Sequence, residues 1–149
     1  MSDREIYMQE ALRLAEEAAA CGDVPVGCVI ADADGSIIGR GRNRREENRD
    51  ATAHAEVEAI REACITRGSW RLDECTLFVT LEPCPMCAGA IINARIPELV
   101  FGVREENSGS CGSVIDLFAE KYGHSPKVYT GVCAMESRRL LREFFEGRR

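Results

Sequence analysis

Apolar and polar positions change period several times along the chain, and each change marks an element. From Glu5 to Ala20 apolar residues recur at helical spacing (Met8, Leu12, Ala15, Ala19) until Cys21-Gly22-Asp23 breaks the run, which predicts a first helix. Residues 26–31 and 37–41 read as two strands joined across Asp32-Ala-Asp-Gly35, a hairpin signal. A polar stretch over 43–51 predicts a loop, and 54–67 a helix with Val57, Ile60 and Cys64 on its apolar face and Gly68 as its stop. Residues 76–80 form a short apolar strand. A helix over 83–94 opens on two prolines and carries Ala88-Gly-Ala-Ile-Ile92, small enough for close packing. A strand over 99–103, a Gly/Ser loop to Ser113, a short helix over 114–120 and a strand over 127–130 follow. The closing helix sets Leu140, Leu141, Phe144 and Phe145 on one stripe.

Strands alternating with helices predict an α/β fold: a single mixed sheet of about five strands, flanked by helices in a three-layer α/β/α sandwich. No repeats, linkers or low-complexity tracts interrupt the pattern, so residues 1–149 are expected to form one domain. An apolar content of 45% is ordinary for a chain with a packed core. No run of about 18 apolar residues exists to span a bilayer, and the start lacks a basic-then-apolar export signal, which predicts a cytoplasmic address. The charge is 19 − 25 = −6, not the balance of a general nucleic-acid binder. Local arginine clusters nevertheless stand at Arg40, Arg42, Arg44, Arg45 and Arg49, and at Arg138, Arg139, Arg142, Arg148 and Arg149, interleaved with glutamates.

Eight cysteines would suit a disulfide framework, but most lie in apolar stretches where a reduced thiol packs as a small hydrophobe. Cys21, Cys28, Cys64, Cys75, Cys111 and Cys133 are read as packing or surface residues. Cys84 and Cys87 differ. In Glu82-Pro-Cys-Pro-Met-Cys87, Pro85 suits the first helical turn, which sets Cys84 near the cap and Cys87 one turn on, both where a helix N-terminus favours thiolate. With His54 from Thr52-Ala-His-Ala-Glu56 they make one imidazole and two thiolates. Three protein ligands leave the fourth tetrahedral position to water, the arrangement of a catalytic rather than a structural zinc. The second histidine, His124, stands in a turn-like Gly-His-Ser-Pro and is not expected to be a fourth ligand. Glu56 is the candidate proton carrier. Residues two apart on a regular helix point about 200° apart, so Glu56 and His54 share a site only if His54 occupies the cap. A Cys-x-x-Cys alone fits equally a redox pair or half a zinc knuckle. His-x-Glu followed by Pro-Cys-x-x-Cys is the joint signature of zinc-dependent nucleobase deaminases.

These motifs resemble the cytidine/deoxycytidylate deaminase superfamily, and within it the bacterial tRNA-specific adenosine deaminases. The likeness runs through Asp23-Val-Pro-Val-Gly27, Gly41-Arg-Asn-Arg44, Ala53-His-Ala-Glu56, Leu77-Phe-Val-Thr-Leu-Glu-Pro-Cys84, Met86-Cys-Ala-Gly-Ala90, Val100-Phe-Gly102 and Leu140-Leu-Arg-Glu-Phe-Phe145. It implies a cytidine deaminase-like fold and one Zn2+ per subunit on His54, Cys84 and Cys87, with Glu56 shuttling protons. It further implies a homodimer that converts the wobble adenosine of a tRNA anticodon loop to inosine. Asn43 would hydrogen-bond the flipped base, and Ala55, Glu82 and Pro83 are expected on the substrate side. By its position alone Glu82, like Met86, also reads as a packing or capping residue. Arg104-Glu-Glu-Asn-Ser-Gly109 departs from the family's usual Asp- and Lys-containing segment and would turn Glu105 and Glu106 toward a phosphate backbone. Relatives acting on a free base or nucleoside (guanine, cytosine or adenosine) share the zinc motifs, so that substrate class stays open. So does a non-catalytic zinc-stabilised interaction module, although such a module has no use for Glu56.

Overall fold

The computed structural model describes residues 1–148. Helix α1 (Asp3–Ala20) starts in a capping box, in which the Ser2 hydroxyl accepts the Glu5 N–H and the Glu5 carboxylate reaches back to Ser2. The hairpin strands β1 (Gly27–Ala31) and β2 (Ile37–Arg42) follow, then a short α2 (Arg45–Asn48), α3 (Ala55–Arg67), β3 (Thr76–Leu81), α4 (Pro85–Ala94) and β4 (Glu98–Val103). A single 3₁₀ turn (Leu117–Ala119), β5 (Lys127–Tyr129) and α5 (Ala134–Glu146) complete the order.

The five strands form one mixed sheet in the order β2-β1-β3-β4-β5. β1 runs antiparallel to both neighbours, whereas β3, β4 and β5 are parallel. Because side chains alternate along a strand, the sheet feeds two cores. Cys28, Ile30, Leu77, Val79, Leu99 and Phe101 face α3 and α4. Val29, Ala31, Phe78 and Val100 face α1, with α5 packed against β4 beside it. The architecture is therefore the α/β/α sandwich that the alternation of elements predicted.

The buried face of α3 is Ala55, Ala59 and Ala63, while Val57, Ile60 and Cys64 are only half-buried. The reason lies on β2. A Cβ built on Gly41 would stand 2.2 Å from the Ala55 carbonyl oxygen, and one on Gly39 2.2 Å from that of Ala59. Glycine against alanine brings α3 so near the strand that larger residues are forced to its flanks.

Three other departures have local causes. The stretch expected as loop holds α2, because the Asp23 carboxylate accepts the N–H groups of Glu46 and Glu47 and caps the turn from outside the segment. The expected helix over 114–120 shrinks to one 3₁₀ turn, started by the Asp116 carboxylate accepting the Phe118 N–H. On α5 the stripe of Leu140, Leu141 and Phe144 is half-buried, Phe145 is 52% exposed and only Ser137 is fully buried. Arg149, counted among the C-terminal arginines, lies outside the described residues. Among those described, no helix is long and apolar enough to cross a membrane.

Candidate metal centre

Two helix starts meet at the carboxyl end of β3. His54 is the N-cap of α3, with extended backbone (φ −85°, ψ 153°), and its side chain makes no capping hydrogen bond. Asn43 supplies that bond instead: its Oδ1 accepts the Ala55 N–H at 3.0 Å, which frees the imidazole. With His54 outside regular helical geometry, the angular conflict with Glu56 disappears. Glu56 sits in the first turn, 4% exposed, and lines the same cavity as His54. At the second helix, Cys84 is the N-cap of α4, Pro85 the first helical residue, and Cys87 is buried in the first turn.

The His54 Nδ1 atom lies 3.6 Å from Cys84 Sγ and 3.5 Å from Cys87 Sγ, and the three donor atoms are all within 4.8 Å of one another. Tetrahedral zinc with Zn–N of about 2.0–2.1 Å and Zn–S of about 2.3 Å requires nitrogen and sulfur about 3.5 Å apart. The donor set and its spacing therefore fit zinc. His124 is elsewhere, its Nε2 at 2.8 Å from the Ile96 carbonyl oxygen. The other six cysteines are free thiols outside the cluster.

Electrostatics prepare the ligands. A hydrogen bond from Cys87 holds the Cys84 thiol down at about 4 against the opposing effect of burial, and His54 adds to the lowering. The same bond, with burial, drives Cys87 far above the ordinary thiol range. Cys84 raises the His54 pKa. Burial pushes Glu56 up to about 7, helped by the Cys84 thiolate, with its own backbone N–H and His54 pulling the other way. A carboxyl poised near neutrality is suited to taking and returning a proton.

The cavity above these groups holds about 400 Å³. Asn43 and Glu82 line it. Ala55 is instead buried against β2, and Pro83 is buried with its carbonyl accepting the Ser110 N–H at 2.9 Å, so neither reaches the lining. Arg45 and Arg104 bring guanidinium groups to the lining, and Leu141 and Phe145 arrive from α5. Both belong to the apolar stripe read on the closing helix, and such a stripe carries no signal that separates cavity wall from core. Of the Arg40–Arg49 cluster, Arg40, Arg42 and Arg44 are paired with Glu10, Glu47 and Glu58. Glu105 is turned inward on its own loop, accepting the Asn107 N–H at 2.9 Å and the Ser108 hydroxyl at 2.6 Å.

Residues 1–103 match the family described as the cytidine and deoxycytidylate deaminase zinc-binding region. The chain is 42% identical over 146 residues to the tRNA-specific adenosine deaminase of Bacillus subtilis, covering 97% of this chain and 90% of that one. It is also 52% identical over 138 residues to a tRNA(Ile)-lysidine synthase of Deinococcus radiodurans. That match takes in 93% of this chain and only 24% of the relative, so the chain spans about a quarter of that protein's length. A solved structure from work on A-to-I editing by tRNA:A34 deaminases at the wobble position superimposes with a TM-score of 0.87 at 42% identity, over 91% of this chain and 98% of that one. With its zinc ligands inside the matched region, this chain belongs to the cytidine and deoxycytidylate deaminase family of zinc-binding proteins.

Proposed function

We propose that this chain, as one deaminase domain over residues 1–149, hydrolyses the exocyclic amine of a wobble adenosine in a tRNA anticodon loop, giving inosine and ammonia. One observation carries the chemistry: a buried carboxylate, Glu56, lining the same pocket as His54 and Cys84, which with the buried Cys87 make a donor set spaced for a tetrahedral ion. His54, Cys84 and Cys87 hold one zinc per chain. A zinc ion held there would supply a lowered pKa to a bound water, making hydroxide available at neutral pH. Glu56 would accept one proton from the attacking water and deliver it to the ring nitrogen beside the reacting carbon; it would then carry the hydroxyl proton of the tetrahedral adduct to the amine, so that the C–N bond breaks, ammonia leaves and the carbonyl of inosine forms. Asn43, already fixed through its Oδ1 by the Ala55 N–H, offers its amide NH2 to the base. The choice of RNA is supported by the three relatives compared above, which are named for work on tRNA. An unstacked anticodon-loop base enters such a pocket at low cost.

The acting form is a homodimer in the cytoplasm, where its substrate resides. Apolar residues that remain exposed around α4, namely Met86, Val114 and Ile115, support a partner on that side.

The decisive measurement is a screen of purified protein against an anticodon stem-loop with wobble adenosine, and against free guanine, cytosine and adenosine. Inosine in the RNA is the expected product. Ammonia from a free base alone would reassign the substrate, and no ammonia from any would reduce the centre to a structural one. Cys87→Ala should leave zinc content below about a tenth of the wild-type value, since one thiolate and one imidazole hold the ion poorly. Full occupancy by elemental analysis would remove Cys87 from the ligand set.

A further inference from the structure

The segment joining β3 to α4 carries a second buried carboxylate that stands outside the chemistry. Glu82 is 3% exposed and immediately precedes the Pro83-Cys84 start of α4. Its Oε1 accepts the Glu105 N–H at 3.0 Å. Its Oε2 accepts the N–H groups of Cys111 at 3.0 Å and Ser113 at 3.1 Å. The Ser113 hydroxyl donates a fourth, short bond to Oε1. Three main-chain donors and a hydroxyl from one loop thus converge on a single side chain. The loop closes so tightly that a Cβ on Gly109 would fall 2.5 Å from the Glu82 carboxyl carbon and 2.4 Å from the Glu105 carbonyl oxygen. Glu105, Asn107 and Ser108, which the same loop presents, form a wall of the cavity.

We propose that Glu82 is a positioning residue: its carboxylate is the hub on which the 105–113 loop folds, and through that loop it shapes the wall met by whatever part of the substrate extends beyond the reacting base. The inference rests on the polynucleotide reading above for its kinetic consequence, not for its structural one. All lone pairs that matter are spent on the loop, so Glu82 has no need to touch the substrate. A neutral amide in its place turns an NH2 toward backbone N–H donors and cannot reproduce the hub. The wall then loosens while the catalytic groups stay put.

The test uses the zinc-loaded full chain, with Glu82→Gln, Ser113→Ala and the conservative Glu82→Asp. Readouts are zinc per chain, protease cleavage within 105–113, and steady-state kinetics on a wobble-adenosine stem-loop RNA. In Glu82→Gln, zinc content should match wild type and cleavage should rise. KM should increase by about tenfold while kcat changes by less than about threefold, the pattern of lost substrate positioning. Ser113→Ala should move both readouts the same way to a smaller extent, and decides the matter if Glu82→Gln fails to fold. Glu82→Asp, which keeps an anionic acceptor, should recover part of the protection. A Glu82→Gln loop as protected as wild type, or zinc lost with the loop intact, would overturn the proposal. If wild type does not act on RNA, the tRNA reading fails, and the protection readout still decides the role of Glu82.

Discussion

By standing at the cap rather than inside α3, His54 gives up a capping role and gains a ligand's freedom, and Asn43 takes over the orphan N–H. Glu56, one residue into the helix, is then left near the metal ligands and away from water. Glu56→Gln should keep zinc and fold yet lower kcat by about 10²–10⁴. Unchanged turnover with full zinc would exclude Glu56 as the proton carrier. The pH dependence follows with a definite sign. Glu56 must be ionised to accept a proton, and burial pushes it up to about 7 against the lowering by its own backbone N–H and His54. The rate should therefore be flat at alkaline pH and fall about tenfold per pH unit below an acid limb near 7. A profile without that acid limb would place the titrating group elsewhere.

Among the elements, those read correctly from sequence carry their cause within themselves: the capping box of α1, the Asp-Gly hairpin turn, and the proline that starts α4 beside two cysteines. The meeting of the candidate metal ligands was legible for the same reason, since Cys84, Pro85 and Cys87 state their own geometry. What was not legible depends on distant partners. α2 exists because Asp23, from the end of α1, caps it, and the inner face of α3 was misread because Gly39 and Gly41 on another element decide it. Gly41→Ala tests that closeness. The new methyl would stand 2.2 Å from the Ala55 carbonyl oxygen and 2.7 Å from the Ala59 nitrogen. The variant should lose at least about 1–3 kcal/mol in chemical denaturation. Since the displaced turn carries His54 and Glu56, activity should fall further than stability alone explains; wild-type stability would show that the helix gives way freely.

At the scale of the whole molecule, the cavity draws on both ends of the chain. Phe145 is half-exposed yet lines the pocket from α5, more than a hundred residues from Val24 on the opposite lip. Phe145→Ala should change stability by no more than about 0.5 kcal/mol, as an exposed position does. It should raise KM for the stem-loop several-fold, about 1 kcal/mol of lost contact. A large stability loss with unchanged KM would make Phe145 a packing residue and not part of the cavity wall.

The family match ends at residue 103, at the last residue of β4. The candidate metal ligands and Glu56 lie before that boundary, and Arg104, Glu105, Asn107, Ser108, Leu141 and Phe145, all of them on the cavity wall, lie after it. Part of the wall, Asn43 and Arg45 among it, stands on the same stretch as the candidate reagent, and the rest stands on a separate one. Splicing the tail of a differently specialised relative onto this head should hand over the choice of target while the machinery for cleaving it carries on unaltered.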